Sequence, residues 1–181
     1  MTVDARPDDR ELSLAPLDEI VDHFRGSRVG HLIIEYGDYE CPYSRQAFHA
    51  IEQVERQLGG NMRFAFRHFP LTGIHPHALA AAAAAEAAAL QGRFWDMHEL
   101  LFHRQKALED GDLRGYAAQL GLDMAAFDRD RTSIAVLERI RRDVDGGLAS
   151  GQVVGTPTLF IDGVVDRGSY DPPTLLAALA E

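Results

Sequence analysis

Residues 40–44, Glu40-Cys41-Pro42-Tyr43-Ser44, hold the only cysteine of the 181-residue chain, and with it a specific chemistry. A thiolate attacks a disulfide to form a mixed disulfide, and Cys41 can perform that step. Escape by a second internal thiol is closed, because the chain has no other cysteine. Release then needs an outside thiol or a partner protein. The setting of the sulfur decides whether it reacts. Leu32-Ile33-Ile34-Glu35-Tyr36 precedes it as a short, apolar, β-prone run, which predicts a buried strand. Ala47, Phe48, Ile51, Val54 and Leu58 come after it at three- and four-residue spacing, predicting an amphipathic helix that Gly59-Gly60 ends. Pro42 suits the first helical position, whose N–H has no intrahelical partner to lose. Cys41 therefore falls at a helix N-cap. Unpaired N–H groups and the positive end of the helix dipole favour a thiolate there, and such sites lower a thiol pKa by roughly 1 to 5 units. An inert cysteine would instead sit mid-strand or on an apolar helix face.

Glu35 is the second candidate. A carboxylate within an otherwise apolar strand suggests a buried acid, with a raised pKa suited to proton transfer. The plain alternative is that Glu35 points to a solvated strand edge.

The remaining elements are set by pattern. Leu17, Ile20, Val21 and Phe24 share one helical face, predicting a short helix that ends at Gly26. Met62, Phe64 and Phe66 alternate with Arg63, Ala65 and Arg67, predicting a second strand, and strand–helix–strand over this length makes the two strands parallel. His77 to Leu90 is rich in alanine and predicts a buried helix whose small side chains allow close packing. Further helices are expected at Phe94 to about Gln105, from an Asp112 cap to Leu120, and from an Asp123 cap to Phe127. A last one should open at Thr132 or Ser133, with Ile134, Leu137, Ile140, Val144 and Leu148 as its face. The β signal returns at Pro157 to Ile161, with an Asp162-Gly163 hairpin turn into Val164-Val165, and Asp171-Pro172 starts a terminal helix.

The formal charge of −10 and the absence of a basic stripe exclude a nucleic-acid surface and disfavour an anionic membrane. No apolar run approaches the ~18 residues of a membrane span, and residues 1–15, read as a flexible lead-in, lack the pattern of a signal peptide. These features lead to an expectation of a cytoplasmic protein without nucleic-acid or membrane partners, a monomer or weak homodimer. A single cysteine leaves stability to packing alone.

Three motifs together resemble the DsbA-like form of the thioredoxin fold: Cys41-Pro42-Tyr43 after an apolar strand, Val154-Gly155-Thr156-Pro157-Thr158, and an intervening pattern made of His68-Phe69-Pro70-Leu71, His75-Pro76-His77-Ala78 and Gly92-Arg93-Phe94-Trp95. The resemblance covers about residues 29–180. It implies an α/β thioredoxin fold formed by residues 16–70 and 151–181, with an all-helical insertion domain at 71–150. It also implies that Cys41 is the nucleophile, that Ser44 stands where the family usually has a resolving cysteine, and that Glu35 is the acid beneath the site. By the same resemblance Pro157 is the cis-proline facing the sulfur, with Thr156 before it exposing backbone for an extended substrate, and Pro42 and Tyr43 join the binding surface. The implied activity is thiol–disulfide exchange on protein disulfides or glutathione mixed disulfides, without a cofactor beyond glutathione as co-substrate. The chain is then either a monothiol exchanger or a dithiol enzyme in which Ser44 replaces the resolving thiol. A Ser44 hydroxyl could donate to the Cys41 thiolate.

The rivals are a peptide-binding module without redox chemistry, a cysteine-linked dimer or a metal cluster shared between subunits, and a metal site among His68, His75, His77, His98 and His103. These histidines match no defined ligand spacing, so no metal is expected.

Overall fold

A computed structural model describes residues 14–180. Five strands form one mixed sheet in the order β1-β3-β2-β4-β5: β1 His23–Gly26, β2 His31–Gly37, β3 Met62–His68, β4 Thr158–Ile161 and β5 Val164–Asp166. The helices are α1 Pro42–Leu58, α2 Ala78–Ala89, α3 Phe94–His103, α4 Asp110–Gln119, α5 Met124–Asp130, α6 Ile134–Ala149 and α7 Pro172–Ala178. The central pair, β2 and β3, is parallel and joined through α1, because parallel neighbours need a crossover of this length.

Alternation along the strands divides the side chains between two faces. Ile33, Glu35, Phe64, Phe66 and Leu159 lie on one face, within a core that continues into α1, α2, α3 and α7. Ile34, Tyr36, Ala65 and Phe160 lie on the other. There α6 closes against the sheet through Gly147, where a β-carbon would come within 2.9 Å of the Tyr36 ring. Only glycine permits that approach.

The alanine helix α2 is buried almost all round and packs on α3, α4, α5 and α6. Its one charged residue, Glu86, accepts from His23 and His68 at 2.8 and 2.7 Å on the same oxygen. Burial alone would raise the Glu86 carboxyl, but these two hydrogen bonds hold it well below the ordinary range. Trp95 lies between α3 and the sheet, its ring 5.8 Å from that of Phe64 and its Nε1 donating to Phe24 O at 3.3 Å.

Several local expectations need correcting. The helix expected over 17–24 is a turn leading into β1, which pairs antiparallel with β3. Asp22 accepts from the Asp18 N–H through its side chain and so favours the turn, while β3 gains a partner along its outer edge. The lead-in assigned to 1–15 lies mostly outside the described residues, but Leu14 packs on the sheet and Ala15 O accepts from Arg67. The cap of α4 is Glu109, in a reciprocal capping box with Asp112 at the third helical position. The buried face of α6 is Val136, Ile140, Asp143 and Gly147, leaving Ile134, Leu137 and Leu148 exposed. A polar residue and a glycine carry half of that face. Asp143 accepts from the His68 N–H at 2.9 Å, which hydropathy periodicity does not register. Finally β4 begins at Thr158, one residue after Pro157.

Candidate active site

The end of β2 delivers the chain to a loop, Asp38 to Glu40, and then to α1. Cys41 is its N-cap, with extended backbone (φ −74°, ψ 121°), and Pro42 occupies the first turn. The helix then ends at Gly59, whose φ of 57° lies in the left-handed region that glycine adopts without cost.

The sulfur's hydrogen-bond partner comes from the far end of the sequence. Cys41 Sγ donates to Thr156 O at 3.3 Å, and the Thr156–Pro157 peptide is cis. The loop that completes the site also closes it. Cys41 is only 3 % exposed, more enclosed than its position at a helix N-cap suggested, although Tyr43 beside it is 58 % exposed. Tyr170 lies beside them, and burial first, then the proximity of Cys41 and Tyr43, raises its phenol pKa.

Ser44 is fully buried one turn below Cys41. Its hydroxyl accepts from the Asp38 N–H at 3.2 Å rather than reaching the sulfur, so the hydrogen bond expected from Ser44 to Cys41 is not made. The residue holds the loop against the first turn of α1.

Glu35 sits in the sheet floor between Phe66 and Leu159, fully buried, and among the described residues neither carboxylate oxygen has a partner. Burial pushes its pKa up to about 8, with the charge of Arg25 opposing the shift. The solvated-edge alternative is therefore excluded. Gly37, two residues on, keeps this space open, since a β-carbon there would strike the Phe66 ring and Glu35 Oε1. Nearby, Tyr39 Oη meets His98 Nδ1 at 2.9 Å, and burial holds His98 well below the ordinary histidine range.

Pattern reading missed the residues that fasten the loop. Asp38 Oδ2 accepts from Leu71 N and His75 Nδ1, each at 2.8 Å. Glu40 accepts from His77 N at 2.7 Å and pairs with His77 Nδ1 at 2.9 Å. Two loop histidines that matched no ligand spacing thus clamp the acidic residues flanking Cys41. Gln105 Nε2 donates to both Tyr39 O and Cys41 O, at 2.9 and 2.8 Å. A single glutamine beyond a helix end carries no sequence signal of this kind. Asp38 and Glu40 did offer one, as acids two apart beside the cysteine. His68, one of the metal candidates, instead shares Glu86 with His23, and the five histidines named for a metal do not converge.

A strand-to-helix cysteine facing a cis-proline loop, on this sheet order with helices between the two halves, defines a DsbA-like member of the thioredoxin fold. The chain belongs to the family described as thioredoxin, whose sequence profile matches residues 20–181. It is 44 % identical over 92 % of its length to the Na⁺/H⁺ antiporter NhaA 1 of Salinispora arenicola, of which it spans 25 %. The crystal structure of a thioredoxin-like oxidoreductase from Silicibacter pomeroyi superposes with a TM-score of 0.75 at 27 % identity, covering 88 % of this chain and 90 % of that one. The α-DsbA1 of Wolbachia pipientis superposes at 0.76 with 22 % identity, covering 96 % and 94 %. Among the described residues no helix is long and apolar enough to cross a membrane.

Proposed function

We propose that this chain is a monothiol thiol–disulfide exchanger, with Cys41 as nucleophile and an external thiol such as glutathione as the agent of release. The observation that carries the reading is the approach of Cys41 Sγ to Thr156 O at 3.3 Å, at the N-cap of α1. A substrate disulfide enters between Tyr43 and the 154–157 loop, displacing the thiol from Thr156 O. The Cys41 thiolate attacks one sulfur, forming a mixed disulfide and expelling the other sulfur as a thiolate. An external thiolate then attacks that mixed disulfide, restoring Cys41 and leaving as a new disulfide, so substrate reduction is matched by oxidation of the external thiol. Glu35, neutral below about pH 8, is the buried group that exchanges a proton beneath the site. Pro42, Tyr43, Thr156 and Pro157 form the binding surface. Dependence on an external thiol assigns the work to a thiol-rich compartment, the cytoplasm.

Turnover of a glutathionylated peptide tests the reading: release of the peptide thiol is expected, and Cys41→Ser should abolish it. The near-complete burial of Cys41 favours one other reading, a peptide-binding module without redox chemistry. Peptide binding without any release of the thiol would establish that module and remove the exchanger.

A further inference from the structure

The chain carries a formal charge of −10, yet one hollow beside the reactive residue has cationic side chains and no acid in its wall. The wall is Arg45, His103, Arg104, Gln105, Lys106 and Ala107, around a volume of about 290 Å³. Lys106 is the chain's only lysine. Elsewhere arginines are mostly paired, as Arg25 is with Glu55, Arg67 with Asp22 and Arg131 with Asp110. Among the described residues, Arg45, Arg104 and Lys106 have no carboxylate partner. Arg45 Nε is in addition buried without a hydrogen-bond acceptor. That donor is available to pair with an anion seated in the hollow.

The hollow is tied to the sulfur through the backbone. Gln105, in its wall, donates to Cys41 O at 2.8 Å, and Arg45 N donates to the same carbonyl at 3.2 Å. Arg45 follows Cys41 by four residues, about 6 Å of helix, so the wall of the hollow begins one helical turn from the residue that carries the sulfur. Arg104 is held in place with its guanidinium 5.3 Å from the centre of the Tyr116 ring, and Tyr116 is anchored by donating to Ala107 O at 2.6 Å.

We infer that this hollow seats the carboxylate of the small thiol that resolves the Cys41 mixed disulfide, so that the second step selects anionic thiols over neutral ones. The inference rests on the exchanger reading and adds the chemical class of its co-substrate. The docked thiolate attacks the sulfur bound to Cys41, one S–S bond forms as another breaks, and Cys41 leaves as thiolate. No other oxidant or reductant takes part. Cations focused at a concave wall raise the local concentration of an anionic reactant and the rate at which it arrives.

The test loads Cys41 with 2-mercaptoethanol as a mixed disulfide and compares its release by glutathione with its release by free 2-mercaptoethanol. The same two thiols acting on a small uncharged disulfide give the intrinsic ratio. A glutathione-to-mercaptoethanol ratio about 10-fold above the intrinsic one is expected, falling towards it in the double variant Arg104→Glu/Lys106→Glu and at high salt. A ratio equal to the intrinsic one in the unaltered protein, or one indifferent to the charge reversal, overturns the inference and leaves exchange at Cys41 standing. Failure of Cys41 to load, while the protein remains folded, removes the exchanger reading and the inference with it.

Discussion

Cys41 Sγ and Thr156 O meet at 3.3 Å although 115 residues separate them in sequence. The contact joins the first half of the fold to the last, across the helices in between. It also explains why the residue is so little exposed: the partner that completes the site lies over the sulfur. Chemistry at Cys41 is therefore coupled to displacement of one backbone contact, and substrates that bind the 154–157 loop should react faster than small disulfides of equal intrinsic reactivity.

Ser44→Cys should change the kinetics of release. The new thiol lies one helical turn after Cys41, so it would resolve the mixed disulfide internally. Loss of the Asp38 N–H acceptor should cost about 1 kcal/mol. Release in the variant should become independent of external thiol concentration, read by stopped-flow or quenched mass analysis. A persisting first-order dependence on external thiol would show that position 44 does not reach the sulfur.

Glu35 should leave a signature in the pH dependence of stability. Its folded-state pKa of about 8 exceeds the ordinary 4.5, so the folded protein retains a proton that the unfolded chain has lost. Stability should fall as pH rises from about 4.5 to about 8, and level off above it. At pH 7 the effect is about 3 kcal/mol, from the distance between that pH and the ordinary value. Denaturant unfolding across this range should show that slope, and Glu35→Gln should flatten it.

Arg67 is the buried cation on the opposite face of the sheet. It pairs with Asp22 at 2.7 Å and donates to Ala15 O, Pro16 O and Tyr36 Oη. Removing it in Arg67→Ala would leave the buried Asp22 carboxylate with only Arg142, at 3.3 Å, and the Asp18 N–H, at a cost of about 3 kcal/mol. Thermal or urea unfolding measures it. A loss below about 1 kcal/mol would mean that residues 15–22 are not fastened to the sheet through this group.

Gln105→Ala tests positioning. Losing two hydrogen bonds to backbone carbonyls should cost about 1–2 kcal/mol in stability. It should lower the rate of Cys41 attack on an uncharged disulfide by more than it shifts substrate affinity. Equal changes in both would assign Gln105 a packing role.

The reach of the sequence varied by element. Regular patterns were transparent: the alternation in β3, the spacing in α1 and the alanine run of α2 all depend on burial of apolar side chains, which hydropathy records. The Asp162-Gly163 turn was equally plain, since both residues take positive φ, 50° and 88°. Misreadings fell where polar contacts override apolar periodicity. Leu17 to Phe24 has helical spacing, but Asp18 and Asp22 close a turn and β3 pairs with His23–Gly26. On α6, Asp143 and Gly147 face the sheet because one meets a backbone N–H and the other a tyrosine ring. At the site, Cys41 and Glu35 were legible from residue type and position, whereas Ser44 and Pro157 were marked only by the family resemblance. The clamps from His75, His77 and Gln105 depend on tertiary proximity alone, and no local pattern encodes them.

The most direct measurement of the central claim is the intact mass of the folded, reduced protein after mixing with a glutathionylated peptide. The account predicts one added glutathione at Cys41, removed by free thiol and absent in Cys41→Ser. A folded protein that gains no mass, and whose Cys41 is alkylated only after denaturation, would contradict it.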